Sequence, residues 1–176
     1  MAGQATQVRN TAASIPSAPS NDPGTQLLLL ATAGLSAGAA GIHFAVVPGH
    51  LAEDLLAGYF FIAVAIAQAL WAILLSHYPR RQLLIVGAVA NVLVAALWLI
   101  VRVYGSPLGA SPWTPEPFGF TDGMSAAFEV ASAITVWVLC SRRRPPVRRL
   151  AGPALVLGTV LVVLTNAALL NIGMVE

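Results

Sequence analysis

The chain has 176 residues, of which 57% are hydrophobic and only 9% charged. Soluble domains carry about 25% charged residues, so composition excludes an ordinary water-soluble globule. The net charge of +2 carries no nucleic-acid signal, because most of the basic residues fall in two short segments between apolar stretches, where membrane orientation accounts for them.

Residues 1–24 are rich in Ala, Ser, Thr and Pro and read as a disordered cytoplasmic tail. Five apolar stretches follow, at 25–47, 51–76, 82–103, 122–140 and 150–172. Each is long enough to cross a hydrocarbon core of roughly 30 Å as a helix. The expected fold is therefore all-α: one polytopic domain over residues 25–176, a bundle of five transmembrane helices. Seven of the nine arginines lie in two connections, Arg80 and Arg81, then Arg142, Arg143, Arg144, Arg148 and Arg149. The positive-inside rule makes those connections cytoplasmic. The N-terminus is then cytoplasmic and the C-terminus external, in a bacterial plasma membrane. Leucines 27–30 ahead of Ala37-Gly38-Ala39 imitate a secretory signal. Apolar sequence resumes at once through Ile42, Phe44, Val46 and Val47, and no basic segment adjoins Leu27, so the first span is expected to remain a helix.

In the first span Gly34, Gly38 and Gly41, with Ala37 and Ala40, allow close approach of a neighbouring backbone. Gly87, Ala88, Ala95 and Ala96 do the same on the third. His43 lies one turn inside the outer end of the first span, Pro48-Gly49 is expected to end that helix, and His50 follows. Glu53 and Asp54 open the second span, with Glu53 in a capping-box position. Gln68, deeper in, needs only an interhelical hydrogen bond to account for it. The third span aligns Asn91, Trp98 and Arg102 on one face. Arg102 stands on the outer side against the orientation rule, which calls for a carboxylate partner. In the fourth span Asp122 and Glu129 are joined by a small, polar stripe of Ser125, Ala126, Ser132 and Ala133. Glu129 lies roughly 10 Å along its helix, where a carboxylate must be protonated, paired or coordinating. Arg102 is one expected partner for it. The fifth span adds Thr165, Asn166 and Asn171. The connection 104–121, with four prolines and Trp113, Phe118 and Phe120, reads as an interfacial lid. Cys140, the single cysteine, reads as an inert thiol.

Depth places His43, Trp98, Glu129 and Asn166 at one level, with His50, Glu53, Arg102 and Asp122 above them. The result is an outward-facing His/carboxylate pocket. Two imidazoles and one or two carboxylates suit a divalent transition metal, copper or zinc. The expected ligands are His43, His50 and Glu129, with Asp122 or Glu53 as a fourth and Arg102, Trp98, Asn91 and Asn166 around them. Two other readings stay open: an accessory or assembly subunit whose polar residues staple the helices, and a proton-coupled small-solute carrier using Glu129. Polar side chains turned toward lipid would favour the accessory subunit. Beyond the bilayer, the expected partners are a second copy or a larger membrane complex. No phosphate-binding loop, nucleophile elbow, zinc helix or dinucleotide fingerprint occurs, so no enzymatic motif is present.

The run His43-x4-Pro48-x-His50, then Asn91, Arg102-x2-Gly105-x-Pro107 and Glu116-Pro117-x-Gly119-x2-Asp122-x6-Glu129 resembles a set of small multi-pass membrane proteins of GC-rich bacteria. The likeness covers about residues 42–129. It implies that these positions matter and implies no activity.

Overall fold

The computed structural model describes residues 23–107 and 112–141. They form four α-helices: α1, Pro23–Glu53; α2, Leu55–His77; α3, Arg81–Tyr104; and α4, Phe120–Ser141. Each is long and apolar enough to cross a membrane. The expected fifth span, with Thr165, Asn166 and Asn171, lies outside the described residues, as do the basic segment 142–149 and the tail through residue 22.

The helices sort their residues by polarity in the sense a bilayer requires. Ile66, Leu70 and Ile73 on α2 and Val86, Leu93 and Ile100 on α3 are exposed. Thr32, Ser36, His43, Gln68, Asn91, Ser125, Glu129, Ser132 and Thr135 are buried. An outer surface this apolar would aggregate in water and is matched by lipid.

α1 is the hub, packing along both α2 and α4; α3 packs on α4, and α2 and α3 touch least. Small residues make the central position possible, since Gly38, Ala39 and Ala40 are all buried. Beside Gly41, by contrast, the space is open. Two apolar clusters fill the interior. Leu35, Ala39, Ile42 and Phe128 join α1 to α4. Ala33, Trp71, Ala72, Leu75, Leu84 and Val136 join all four helices.

Two boundaries differ from the sequence expectation. α1 continues through Pro48 as far as Glu53. Proline removes one amide donor and frees the carbonyl of Phe44, a loss a helix tolerates within its last turns. Glu53 therefore closes α1 and does not cap α2. The cap is Asp54, whose carboxylate accepts from the amides of Leu56 at 2.7 Å and Ala57 at 3.1 Å. An acceptor at this position satisfies amides that have no partner inside the helix.

At the far end of α3, Gly105 has φ +81°, a backbone conformation that favours glycine. A Cβ there would also strike the backbone of Trp113 and Thr114. The amide of Trp113 donates to the Ser106 carbonyl at 2.8 Å, bringing the connection back over the helix end.

Gly87 is the tightest point between α2 and α3. A Cβ there would fall inside the indole of Trp71, whose Nε1 donates to the Leu83 carbonyl at 2.8 Å. Gly87→Ala should therefore destabilise the bundle by about 1–3 kcal/mol through overpacking. Gly41→Ala meets open space, and should be neutral or stabilising by up to about 1 kcal/mol from helix propensity. Denaturant titration of the two variants in detergent checks this; equal effects would contradict the packing at Gly87.

Candidate functional site

Each of the four helices places one polar side chain in a single buried cluster. His43 comes from α1, Gln68 from α2, Asn91 from α3 and Glu129 from α4. Counted from the end of the bundle that holds Asp54 and Gly105, these positions lie 10, 13, 13 and 9 residues into their helices. At about 1.5 Å per residue they share one layer to within about 6 Å.

Glu129, only 1% exposed, is the centre of the layer. His43 Nε2 lies 2.9 Å from its Oε1. Gln68 Nε2 donates to the same oxygen at 2.9 Å and to Asn91 Oδ1 at 3.0 Å. Asn91 Nδ2 in turn donates to the Gly87 carbonyl at 2.9 Å. Ser36 ties α1 to α2 by donating to the Gln68 carbonyl at 2.9 Å. A buried carboxylate without such partners would be costly, and here two side chains from different helices supply them.

The imidazole and the carboxyl group can hold the proton between them in two ways. In one, Nε2–H donates to the carboxylate. In the other, a carboxylic acid donates to Nε2. Both preserve the observed contact, which is the chemical competence of the pair.

A second cluster sits at the Arg102 end. Arg102 Nη1 donates to Glu116 Oε2 at 2.6 Å, and Nη2 donates to Asp122 Oδ2. The guanidinium thus clamps the end of α3 to the connection and to the first turn of α4. Trp98, one turn below, meets Phe118 edge-on with ring centroids 5.7 Å apart. Trp98 Nε1 and Arg102 Nε are buried and meet no acceptor among the described residues.

The expected ligands are therefore divided. His43 and Glu129 meet. His50 instead stacks on Phe61, with centroids 4.1 Å apart and planes at 13°. Phe61 also contacts His43, at 5.4 Å between centroids, so both imidazoles pack on one phenyl ring. Asp122 is taken by Arg102, and Glu53 is exposed at the end of α1. Among the described residues no three His, Cys, Asp or Glu side chains are grouped so as to hold a metal ion. Arg102 has the carboxylate partners its position calls for, and they are Glu116 and Asp122 in place of Glu129. Asn91 joins the central layer directly. Asn166 lies outside the described residues.

Gln68 is the site residue that sequence reasoning misses. Its signal is that it is one of four strongly polar side chains at matching depth, one per helix. Glu116 enters the sequence reading only within the run Glu116-Pro117-x-Gly119, and its role emerges from the return of the connection onto Arg102.

No family model, curated protein or solved structure matches this chain.

The division between clusters has a measurable consequence. A double-mutant cycle on Arg102→Ala and Asp122→Asn should give a coupling of about 0.5–3 kcal/mol, as residues in one ion-pair network do. The cycle on Arg102→Ala and Glu129→Gln should be additive within about 0.5 kcal/mol. Unfolding in detergent supplies both numbers, and strong Arg102–Glu129 coupling would contradict the assignment.

Proposed function

We propose that this chain is a non-enzymatic integral membrane protein that takes up and releases a proton at the His43–Glu129 pair, as the coupling site for a small solute. The observation that carries this reading is the 2.9 Å contact between an imidazole and a carboxyl group, both buried in the middle of apolar helices. Ionisable side chains inside a membrane are costly and mark proton or ion pathways more than any other residues. The Gln68 amide supports the ionised form of Glu129, while His43 offers an acceptor when the carboxyl group is protonated. The inward turn of the polar side chains favours a self-contained site over a subunit that needs polar contacts with a large partner. In the orientation we favour, the exposed turn holding Arg80 and Arg81 is cytoplasmic and the Arg102 clamp is external.

A second reading is a copper or zinc site, favoured by the same contact, since an imidazole nitrogen and a carboxylate oxygen this close could share one ion. Its remaining ligands would have to come from beyond these two side chains.

Infrared difference spectra of the protein in lipid, recorded between about pH 4 and 9, test the proton reading. A protonated-carboxyl band is expected that disappears in Glu129→Gln, moves in His43→Ala and persists in Asp122→Asn. If no band titrates with Glu129, the layer is a structural staple. Stoichiometric metal in protein purified without chelators, lost in His43→Ala, would instead support the ion.

A further inference from the structure

Toward the end of the bundle that holds Asp54 and Gly105, two different devices stand above the polar layer. On the α3–α4 side they are the Arg102 clamp and the Trp98–Phe118 contact. On the α1–α2 side the device is a single aromatic ring. His50, in the last turn of α1, is half-buried, and its imidazole stacks on Phe61 of α2 at 4.1 Å between centroids. His43 meets the same phenyl ring at 5.4 Å, with planes at 42°.

The two histidines lie seven residues apart on one continuous helix, a rise of about 10 Å. The two centroid separations nearly fill that interval, so the phenyl ring stands between the imidazoles. Across it neither can hydrogen-bond the other. Phe61 is half-buried, packs edge-on with Phe60 at 5.6 Å, and belongs to neither apolar cluster of the interior. Its ring can therefore turn without unpacking those clusters. His43, only 4% exposed, faces Glu129 through Nε2. An imidazole has two nitrogens, and a proton taken up at one can be matched by a proton given up at the other.

We propose that His50 is the proton relay serving the His43–Glu129 pair, and that Phe61 is the gate between them. This rests on the proton reading. With the ring as observed, the pair is shut off from His50. When the ring turns aside, the His50 imidazolium gives its proton, through water admitted to the vacated space, to His43 Nδ1. The proton on His43 Nε2 then passes to Glu129 Oε1. The pair ends as a neutral imidazole and a carboxylic acid, with Nε2 now accepting from the acid. His50 is left neutral and takes its next proton from water at the helix end. Release runs the same steps in reverse.

The test is time-resolved infrared spectroscopy of the full chain in lipid after a laser-triggered drop in pH, reading how fast the Glu129 carboxyl band rises. His50→Ala should slow the rise about a hundredfold, at the low end of what a positioned acid–base group contributes. Imidazole added to the buffer should restore part of that rate, which a merely structural role of His50 does not predict. Phe61→Ala should speed the rise about tenfold and make it indifferent to His50→Ala, because water then reaches His43 directly. Phe61→Leu should act in the same direction, and serves if the alanine variant fails to fold. Glu116→Gln, which loosens the clamp on the other side, should leave the rate unchanged. A Glu129 band that titrates at the same rate in His50→Ala and the Phe61 variants would overturn the relay and leave the proton reading standing. So would a slow His50→Ala that imidazole does not rescue, or a Glu116→Gln faster than the Phe61 variants. No Glu129 band at equilibrium at any pH would overturn both.

Discussion

A carboxyl group in the middle of four apolar helices has no water to turn to, and the architecture is arranged around supplying Glu129 with partners. Two side chains, from α1 and α2, meet one of its oxygens. The Gln68 amide is steadied by Asn91, and Asn91 by the carbonyl of Gly87. Gly87 also lacks the Cβ that would exclude the Trp71 ring. One chain of dependence thus runs from α1 to the α2–α3 contact. Lipid supplies no hydrophobic drive for helices to associate, so small-residue packing and such interhelical hydrogen bonds carry the burden. Each bond is worth only about 0.6 kcal/mol on average in a membrane. The penalty for leaving a buried partner unmatched is larger, about 1–3 kcal/mol, and so the network is specified more by what its loss would cost than by what its formation gains.

The charged groups are separated into two clusters. Arg102 is balanced by Asp122 and Glu116 near the helix ends, where snorkelling and partial exposure soften the cost of charge. Glu129 lies seven residues further along α4 than Asp122, about two turns away. Freed from neutralising a guanidinium, it meets an imidazole instead, 2.9 Å away. A permanent Arg–Glu pair would have fixed the carboxylate in one state.

Four spans are legible in the sequence because an apolar run of this length can satisfy its backbone in lipid as a helix and would be insoluble as a loop. Depth alone brings His43 and Glu129 to one level. Which of several groups at similar depth touch is not legible. That depends on the order of helices around the bundle, with α1 between α2 and α4, and no periodicity in one helix encodes it. Arg102 and Glu129 are plausible partners by charge, but the connection returning onto Arg102 supplies nearer acids. His50 is two turns from His43 by count and is held instead by the face of Phe61. Pro48-Gly49 reads as a stop because the sequence shows the lost donor and conceals how little a helix needs it in its last turns. Gln68 looks incidental because one polar residue in a span needs only one neighbour; four at one level make a network.

The central claim is that His43 and Glu129 touch. It is tested most directly by solid-state NMR of the protein in bilayers, with ¹⁵N-labelled imidazole and guanidinium groups and ¹³C-labelled glutamate side chains. A through-space correlation between His43 Nε2 and the Glu129 carboxyl carbon is predicted, together with one between the Arg102 guanidinium and the Glu116 carboxyl. A Glu129 carboxyl carbon that correlates with Arg102 and not with His43 would refute the claim.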